Sequence, residues 1–370
     1  LSGIHPAAIP IRTMREEQCD FVLTGEGFEA LAGLLSGVEH KNIPGLVWRD
    51  VDQIQINHKP PLVNINNLPV PAWDLLPMSA YRCHNWHANY DESARTPYGI
   101  IWSSLGCPYN CTFCNINAPY NASPGIRYRD ATRVLDEMQM LVEKYKIRNF
   151  KFLDELFAIK KTQVDEICDG ILERGLDINA WAYARVDTVN LEMLTKMKKA
   201  GINWVAFGVE STSENVRKGV NKGYKDDKII NAIECARKAN IHIICNLIFG
   251  LPDDTIETMR ADLEFAKKHL FEALNLYCAT AYPGSELYSQ AIRGEDILPQ
   301  TWSGYGQYAE DFTPSPTKTL TSAQIVQFRD EAFHEYYTDA KYLHRMCEIF
   351  GDDAAKCIEE MYTVRLKRRK

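Results

Sequence analysis

Apolar stretches alternate with amphipathic ones from about residue 98 onward. Runs of β-branched and aromatic residues predict strands at 98–104, 149–153, 179–184, 203–209, 242–249 and 273–280. Apolar positions at helical spacing between them predict helices at Ala131–Tyr145, Thr162–Arg174, Leu191–Ala200, Lys225–Ala239 and Thr255–His269. Strands that alternate with helices are typical of a parallel sheet or barrel. With right-handed crossovers, these units predict an α/β fold in the form of a partial, open (β/α)6 TIM-like barrel.

The residues before this region form shorter elements. Leu1–Pro6 is predicted to be a strand end that runs into a turn, and Asp20–Gly27 a short strand with a glycine-rich turn before the helix Phe28–Leu35. Residues 41–57 predict a small β-ribbon. Residues 59–77 hold five prolines and predict an extended, semi-rigid connector.

The residues after the predicted barrel form a loop and helices. Residues 300–318 are rich in Thr, Ser, Pro and aromatic residues, which suits a loop over the barrel mouth or plain packing against a barrel end. A helix is predicted at Ser322–Tyr337, with further helix towards the end. The basic residues 365–370 predict a solvated terminus, with contact to a membrane surface as an alternative.

Composition and charge narrow the class of protein. A chain of 370 residues with 45% hydrophobic and 25% charged residues is typical of a globular protein with one large domain and one or two smaller ones. The net charge of -7 argues against general nucleic-acid binding. No apolar run reaches the ~18–20 residues of a transmembrane segment and no signal peptide is recognised, which predicts a cytoplasmic location.

Three of the eleven cysteines, Cys107, Cys111 and Cys114, have the spacing C-x3-C-x2-C within SSLGCPYNCTFCNINAP. Three thiolates this close can hold three irons of a 4Fe–4S cluster and leave the fourth iron open for another ligand. The other cysteines are scattered and are predicted to be reduced core residues. They are Cys19, Cys83, Cys168, Cys235, Cys245, Cys278, Cys347 and Cys357.

The motif follows a predicted strand that ends at Gly106, on the side of an α/β barrel where active sites lie. The alternatives are a zinc site, a disulfide with a spare thiol, or buried free cysteines. Zinc favours four ligands in two separated pairs, and no second C-x2-C pair or nearby H-x3-H stands in the sequence. A disulfide is typical of secreted chains.

The segment resembles the signature of the radical S-adenosylmethionine (SAM) superfamily, including the aromatic Phe113 just before the third cysteine. The resemblance covers about residues 98–290 and implies the same (β/α)6 form. It implies that the open iron binds the amino and carboxylate groups of SAM. One electron from the cluster then cleaves a carbon–sulfur bond of SAM to give a 5'-deoxyadenosyl radical.

The start of the chain resembles, more loosely, the last third of the Rossmann-like cobalamin-binding domain that precedes the radical SAM domain in many relatives. G-x-H-P at His5 and D-x-V-x-x-G-E-G at Asp20–Gly27 carry this resemblance, and Leu68–Pro77 resembles the connector. The D-x-H-x-x-G loop, whose histidine can bind cobalt, is absent, so the start is predicted to be a fragment or a degenerate version. Gly25 and Gly27 are also explained as tight-turn residues without a ligand.

The predicted domains follow from these resemblances. Residues 1–57 are the C-terminal part of a cobalamin-binding-like domain, 58–97 a proline-rich linker, 98–290 the radical SAM partial barrel, and 291–370 a C-terminal lid and helical region.

Polar residues at the strand ends are predicted to bind SAM, because βα loops converge at that rim. Asp154 and Glu155 can accept hydrogen bonds from an ammonium group or ribose hydroxyls. Arg185 suits the SAM carboxylate, since guanidinium binds carboxylates in a bidentate manner. Glu210 is placed to bind a ribose hydroxyl or the amino end of SAM.

The fifth and sixth strands continue this pattern. The fifth strand and the turn after it give the segment from Asn246 to Pro252, in which Asn246 is predicted to bind the cofactor and Gly250 lets the backbone approach adenine closely. Residues 280–286 resemble the P-x-P-G-T-x-L turn of the family, with Ala281 in place of the first proline. Each strand-end residue alone is also explained as a helix cap or an ion-pair partner. Together they predict a SAM site of which the cysteine motif forms one wall.

The sequence therefore predicts a radical SAM enzyme that binds a 4Fe–4S cluster, SAM and, if the cobalamin-type resemblance holds, cobalamin for methylation of an unactivated carbon. The alternatives are a cobalamin-independent cyclase, oxidoreductase or rearrangement catalyst, and, in a different class, a non-catalytic iron–sulfur protein. The expected partners are a small-molecule or lipid substrate and an electron donor such as flavodoxin or ferredoxin. The substrate itself is not indicated.

Overall fold

The computed structural model describes residues 1–294 and 297–369. The strands are β1 Phe21–Leu23, β2 Leu46–Asp50, β3 Gln53–Ile56, β4 Tyr98–Ile101, β5 Ser104–Leu105, β6 Arg127–Tyr128, β7 Asn149–Phe152, β8 Asn179–Ala184, β9 Ile202–Glu210, β10 His242–Phe249 and β11 Ala273–Cys278. The α-helices are α1 Ile4–Ala8, α2 Pro10–Glu16, α3 Phe28–Leu35, α4 Ala131–Tyr145, α5 Lys161–Glu173, α6 Leu191–Lys199, α7 Glu214–Gly219, α8 Asp226–Lys238, α9 Ile256–His269, α10 Glu286–Gly294, α11 Ser322–Tyr337, α12 Ala340–Phe350 and α13 Asp352–Thr363.

Six parallel strands form the central sheet, in the order β4-β7-β8-β9-β10-β11. Each strand pairs with its neighbour in sequence, and an α-helical crossover joins each pair. This order confirms the α/β fold with a parallel, barrel-type arrangement and a helical C-terminal region. The predicted strands and helices of this region agree with the observed ones within about two residues at most ends, because their hydrophobic period is regular.

The two faces of the sheet differ in composition. Ile101, Phe150 and Phe152 point into the large core beneath the helices, and residues at alternate positions point to the inner face. The inner face carries a second, aromatic cluster that includes Trp181 and Trp204, with Trp86 packed against it.

Asparagines join the amino-terminal ends of three neighbouring strands. Asn179 Nδ2 donates to Asn149 Oδ1 (2.8 Å), and Asn203 Nδ2 donates to Asn179 Oδ1 (3.0 Å). His87 lies next to these asparagines, and its Nε2 is 3.0 Å from the carbonyl oxygen of Asn179. This end of the sheet is therefore fixed by polar side chains, at the opposite edge from the predicted SAM site.

The start of the chain differs in part from the prediction. Leu1 runs beside β1 like a strand end, with hydrogen bonds to Phe21 and Leu23. The turn predicted at His5–Pro6 is wrong, because helices α1 and α2 follow instead. Pro6 and Pro10 stand in the first turns of these helices, where a missing backbone N–H leaves no hydrogen bond unmade. The predicted β-ribbon is confirmed as the antiparallel pair β2–β3.

The chain divides into two compact units. The first comprises residues 1–68, 106–127 and 280–298, and the second comprises residues 69–105, 128–279 and 299–370. The first unit thus combines three separate segments, one of which carries the cysteine motif. The predicted domain boundaries divide the chain elsewhere and stay a prediction.

The predicted solvated end of the chain is confirmed for residues 365–367 and for Arg369, which are exposed, whereas Arg368 is half-buried. Arg368 forms a two-point ion pair with Asp330 of α11 (2.9 and 3.2 Å) and donates to the carbonyl oxygen of Ala309 (2.7 Å). The amide of Arg369 donates to the carbonyl oxygen of Glu310. Arg368 and the backbone of Arg369 are held because Asp330 and two carbonyl groups of the loop supply acceptors, which composition alone did not reveal.

The loop at 300–318 lies along the last strand of the sheet. Gln307 donates to the carbonyl oxygen of Cys278 and accepts from its amide, at 2.9 and 3.0 Å. The role of this loop as a lid stays a prediction. Among the described residues, no helix combines the length and apolar character that crossing a membrane would require.

Candidate functional site

The three motif cysteines lie on an irregular loop of the first unit. Cys107 and Cys111 are half-buried and Cys114 is exposed, whereas Cys168 and Cys245 are buried. A tight turn brings the amide of Cys114 within 3.0 Å of the carbonyl oxygen of Cys111. The motif thiols are thus more accessible than the core thiols, whose pKa values are raised by burial.

Gly106 and Gly125 close the base of this loop. The amide of Gly125 donates to the carbonyl oxygen of Cys107 across 3.0 Å. Gly106 has a positive φ of 91°, and a Cβ at this position would overlap the carbonyl oxygen of Gly125. Because only glycine meets both conditions without strain, the residue directly before the motif has its identity fixed by the backbone.

The cysteine loop is attached to α10 within the same unit. The ring of Phe113 packs against the cluster that includes Leu287 and Ala291. The amide of Leu287 donates to the carbonyl oxygen of Thr112 (2.8 Å). Phe113 therefore has a packing role in this structure, and its contact with a cofactor stays a prediction.

The chemistry of the loop fits an iron–sulfur cluster. Its three thiols lie outside the core and within one short loop, as ligands of three separate irons require. Within residues 1–294 and 297–369, no three His, Cys, Asp or Glu side chains converge as ligands of a single metal ion would. A cluster does not need that convergence, since each thiolate binds its own iron. The cysteines as cluster ligands stay a prediction from the motif.

The polar residues predicted to bind SAM stand at the carboxyl ends of parallel strands in the second unit. Asp154 and Glu155 follow β7, Arg185 follows β8, and Glu210 ends β9. Because these strands are parallel neighbours, their carboxyl ends share one edge of the sheet. The structure thus brings these residues to the same rim.

Asp154 is engaged by the protein itself. Its carboxylate accepts hydrogen bonds from the amide and hydroxyl of Ser103 (2.9 and 2.6 Å) and from the hydroxyl of Ser104 (2.6 Å). The side chain is 1% exposed, and burial raises the pKa of its carboxyl group. Asp154 therefore anchors the backbone just before the cysteine motif, whereas Glu155 is half-buried beside it.

Arg185 pairs with a carboxylate two residues further on. Its Nε and Nη2 donate to both oxygens of Asp187, at 2.9 and 3.1 Å, and its guanidinium lies over the ring of Tyr224. This is the bidentate geometry that was predicted for a ligand carboxylate. Asp187 orients the guanidinium, and the contact of Arg185 with SAM stays a prediction.

Glu210 forms a buried ion pair with Lys222, a residue that the sequence interpretation missed. Lys222 Nζ donates to Oε1 of Glu210, and the two side chains are only 9% and 7% exposed. Lys222 follows α7, a short helix that no periodic pattern had predicted. The only available signal was a lysine shortly after a strand-end glutamate, which is too common to identify a pair.

A β-bulge directs the Glu210 side chain. In the pairing of β9 with β10, the register advances from Gly208 to Glu210 in one step, so Val209 is an extra residue. Glu210 has a positive φ of 63°, which is uncommon for a residue with a side chain. A Cβ on Gly208 would lie 2.6 Å from Glu210 Oε1 and 2.8 Å from Lys222 Nζ, so glycine leaves the room that the ion pair occupies.

The residues of the fifth strand have protein partners as well. Asn246 Nδ2 donates to the carbonyl oxygen of Phe207 (3.1 Å), and its Oδ1 accepts from Asn275 (2.8 Å). Gly250 has a positive φ of 79°, and a Cβ there would lie 2.8 Å from the side chain of Ile325. That face of Gly250 is covered by α11, which explains the glycine without a ligand. Its contact with adenine stays a prediction.

Two buried carboxyl groups support the rim from α9 and the loop before it. Asp262 accepts from the amide and hydroxyl of Thr212 through Oδ1 (2.5 and 2.6 Å). Burial raises the pKa of Asp262 to about 6 and that of Asp254 to about 7. Because Thr212 follows Glu210 closely, Asp262 fixes the segment that leaves the rim.

We expect Asp262→Asn to change how stability depends on pH. A carboxyl group with a raised pKa in the folded state stabilises the fold fully below pH ~4 and loses that contribution as pH rises through ~6. Asparagine keeps an oxygen that accepts from Thr212 but does not ionise. As pH rises from ~4 to ~6, the wild type should therefore lose stability relative to Asp262→Asn, by about 1–3 kcal/mol. The difference in melting temperature between the two proteins should shift in favour of the variant over this range. A thermal melting series with the exposed control Glu166→Gln checks this, and parallel pH curves for Asp262→Asn and wild type would contradict it.

The C-x3-C-x2-C loop and the parallel α/β sheet together indicate the class of protein to which this chain belongs. The chain belongs to the radical SAM superfamily, whose family model matches residues 103–266. Membership implies a 4Fe–4S cluster and SAM as cofactors.

The chain is also similar to individual proteins of known sequence or structure. The chain is 33% identical over 354 residues to an uncharacterized methyltransferase of Pyrococcus horikoshii, covering 93% of this chain and 73% of that protein. It is 27% identical over 357 residues to the anaerobic magnesium-protoporphyrin IX monomethyl ester cyclase of Cereibacter sphaeroides, covering 93% of this chain and 56% of the cyclase. The fold is similar to that of the radical SAM methyltransferase TsrM from Kitasatospora setae, solved with cobalamin and a 4Fe–4S cluster bound. Their TM-score is 0.62 at 18% identity, over 80% of this chain and 58% of TsrM.

Proposed function

We propose that this protein is a radical SAM methyltransferase that uses cobalamin to methylate an unactivated carbon of a small molecule. The C-x3-C-x2-C loop at Cys107, Cys111 and Cys114 carries the radical SAM part of the proposal. A bound 4Fe–4S cluster would supply the electron for the cleavage of SAM to a 5'-deoxyadenosyl radical. The name of the Pyrococcus relative and the cobalamin in the TsrM structure support the methyl-transfer part.

Each candidate site residue of this chain would have a separate role in binding the cluster or SAM. The thiolates of Cys107, Cys111 and Cys114 would hold three irons of the cluster, and the fourth iron would stay open for SAM. Arg185, oriented by Asp187, offers a guanidinium for the carboxylate end of SAM. Glu155 and Glu210 offer oxygens to ribose hydroxyls or to the amino group. The buried Asp154 acts by holding Ser103 and Ser104 rather than by contact with a ligand.

Reconstitution tests the proposal. The protein is loaded anaerobically with iron and sulfide, reduced, and incubated with SAM. We expect 5'-deoxyadenosine, and, with methylcobalamin and a substrate, methylated product. Cleavage with no requirement for cobalamin would remove the methyl-transfer part, while no cleavage under any reducing condition would favour a non-catalytic iron–sulfur protein.

A cobalamin-independent reaction, such as ring formation, is the second candidate. The similarity to the Cereibacter cyclase over 93% of this chain favours it. The absorption spectrum of the anaerobically purified protein separates the two, because cobalamin and the cluster absorb differently. An electron donor of the flavodoxin or ferredoxin type completes either proposal, and the cytoplasmic location stays a prediction.

A further inference from the structure

The inner face of the barrel exposes apolar side chains beside β7. Ile100 on β4 is 39% exposed and Leu153, just after β7, is 45% exposed. Their sequence neighbours Ile101 and Phe152 are fully buried on the opposite, helix-covered face. The register places Ile100 opposite Lys151, so Lys151 shares this open inner face. Lys151 therefore carries its positive charge among apolar side chains on the inner face of the sheet.

Lys151 stands between aromatic rings and is half-buried. Its Nζ lies 4.5 Å from the ring centroid of Trp181 and 5.2 Å from that of Tyr183. Trp181 is the residue paired with Lys151 on the neighbouring strand β8. Such contacts favour a cation over an aromatic ring, but they supply no negative charge.

Lys151 differs in this respect from Lys222, which is buried in the same unit. Lys222 is neutralised by Glu210, whereas in the part of the chain that the structure describes no carboxylate forms an ion pair with Lys151. Burial lowers the pKa of Lys151, as expected for an ammonium group that loses water without gaining a counter-charge. Partial loss of water around an unpaired charge is unfavourable, and a charge in such surroundings commonly marks a functional position.

We propose that Lys151, with Trp181 and Tyr183, binds the anionic group of a substrate whose flat, apolar part lies on Tyr183 and against Ile100 and Leu153. The substrate class is thus a small aromatic or conjugated molecule with a carboxylate or another oxyanion. The inference rests on the proposed function only in naming this ligand the substrate. The ammonium group supplies the charge that an oxyanion needs, and the rings and aliphatic side chains supply a matching apolar wall.

A pair of probes that differ only in charge tests this site. Naphthalene-2-carboxylate and naphthalene-2-carboxamide have the same ring and nearly the same shape. By equilibrium dialysis at neutral pH, we expect the wild-type protein to bind the carboxylate about tenfold more tightly, as a charge-assisted hydrogen bond provides. Lys151→Met should lose this preference, and Lys151→Arg should keep most of it.

Lys144→Met is the matched control. Lys144 also lies over an aromatic ring, that of Tyr145 at 5.1 Å, but it is exposed on the outside of α4. We expect this variant to retain the preference for the carboxylate. A wild-type protein without the preference, a Lys151→Met variant that keeps it, or an equal loss in Lys144→Met would each overturn the proposal. Melting curves of all variants separate loss of the site from loss of the fold.

The test of the Lys151 site and the test of the proposed function can fail independently of each other. Formation of 5'-deoxyadenosine by the reconstituted wild-type protein reports on SAM cleavage and requires neither probe. Failure of cleavage with an intact carboxylate preference would leave an anion site that serves another reaction. Cleavage without the preference would leave a radical SAM enzyme whose substrate is recognised differently.

Discussion

Replacing Cys107, Cys111 or Cys114 singly by alanine should abolish formation of 5'-deoxyadenosine from SAM. Each replacement removes one thiolate from a set of three, and a cluster held by two protein ligands cannot keep one defined iron open for SAM. Changes to the outer partners of metal ligands already cost about 10–100-fold, so loss of a ligand should cost more than ~100-fold. The assay measures 5'-deoxyadenosine after anaerobic reconstitution, together with bound iron and sulfide.

Cys347→Ala provides the control for this experiment. Cys347 is half-buried on α12, where alanine is a good helix former, and it lies outside the motif. It should retain both cluster and cleavage. Cleavage that persists in all three motif variants would refute the assignment of the cysteines and, with it, the radical SAM mechanism for this chain.

Glu210→Gln should both destabilise the second unit and weaken SAM binding. Glutamine keeps the shape of the side chain but leaves the ammonium group of Lys222 buried without a counter-charge. Removing one partner of a buried ion pair typically costs about 3–5 kcal/mol. SAM binding should weaken as well, because a neutral amide accepts a hydrogen bond less strongly than a carboxylate. Melting temperature and equilibrium binding of SAM to the reconstituted protein measure the two effects separately.

The double variant Glu210→Gln/Lys222→Met separates stability from binding. It removes both charges, so most of the lost stability should return, while SAM affinity should stay low if the carboxylate contacts SAM. The exposed pair of Glu214 with Lys218 on α7 supplies the control, and Glu214→Gln should change stability by less than ~0.5 kcal/mol. A Glu210→Gln variant as stable as this control would contradict the ion pair, and recovery of affinity in the double variant would limit Glu210 to a structural role.

The sequence predicted those features that depend on neighbouring residues along the chain. The strands and helices of the barrel have a regular hydrophobic period, and the cysteine motif lies within eight residues. Both could be identified without knowing what contacts what. The helix at Ile4–Ala8 was missed because Pro6 was taken as a turn signal, although proline is tolerated in a first helical turn.

Long-range side-chain partners could not be predicted in the same way. Asp154 was expected to face a ligand, yet Ser103 and Ser104 take its hydrogen bonds from 51 and 50 residues away. Gly250 was explained only by a close approach to adenine, yet the side chain of Ile325 also lies where a Cβ of this residue would stand. A local pattern shows that a polar or small residue stands at a strand end. Which group it meets depends on the packing of distant segments.

The hydrogen bonds of Asp154 have a consequence for how the protein matures. Ribosomes extend a chain at about 5–20 residues per second, so Asp154 is made roughly 3–10 s after the serines that it holds. The thiols at 107–114 also emerge before this anchor and before the α10 segment on which Phe113 packs. During that interval the motif is a set of accessible thiols on a loop that lacks its support. Iron and sulfide should therefore be loaded efficiently only after synthesis has passed both segments.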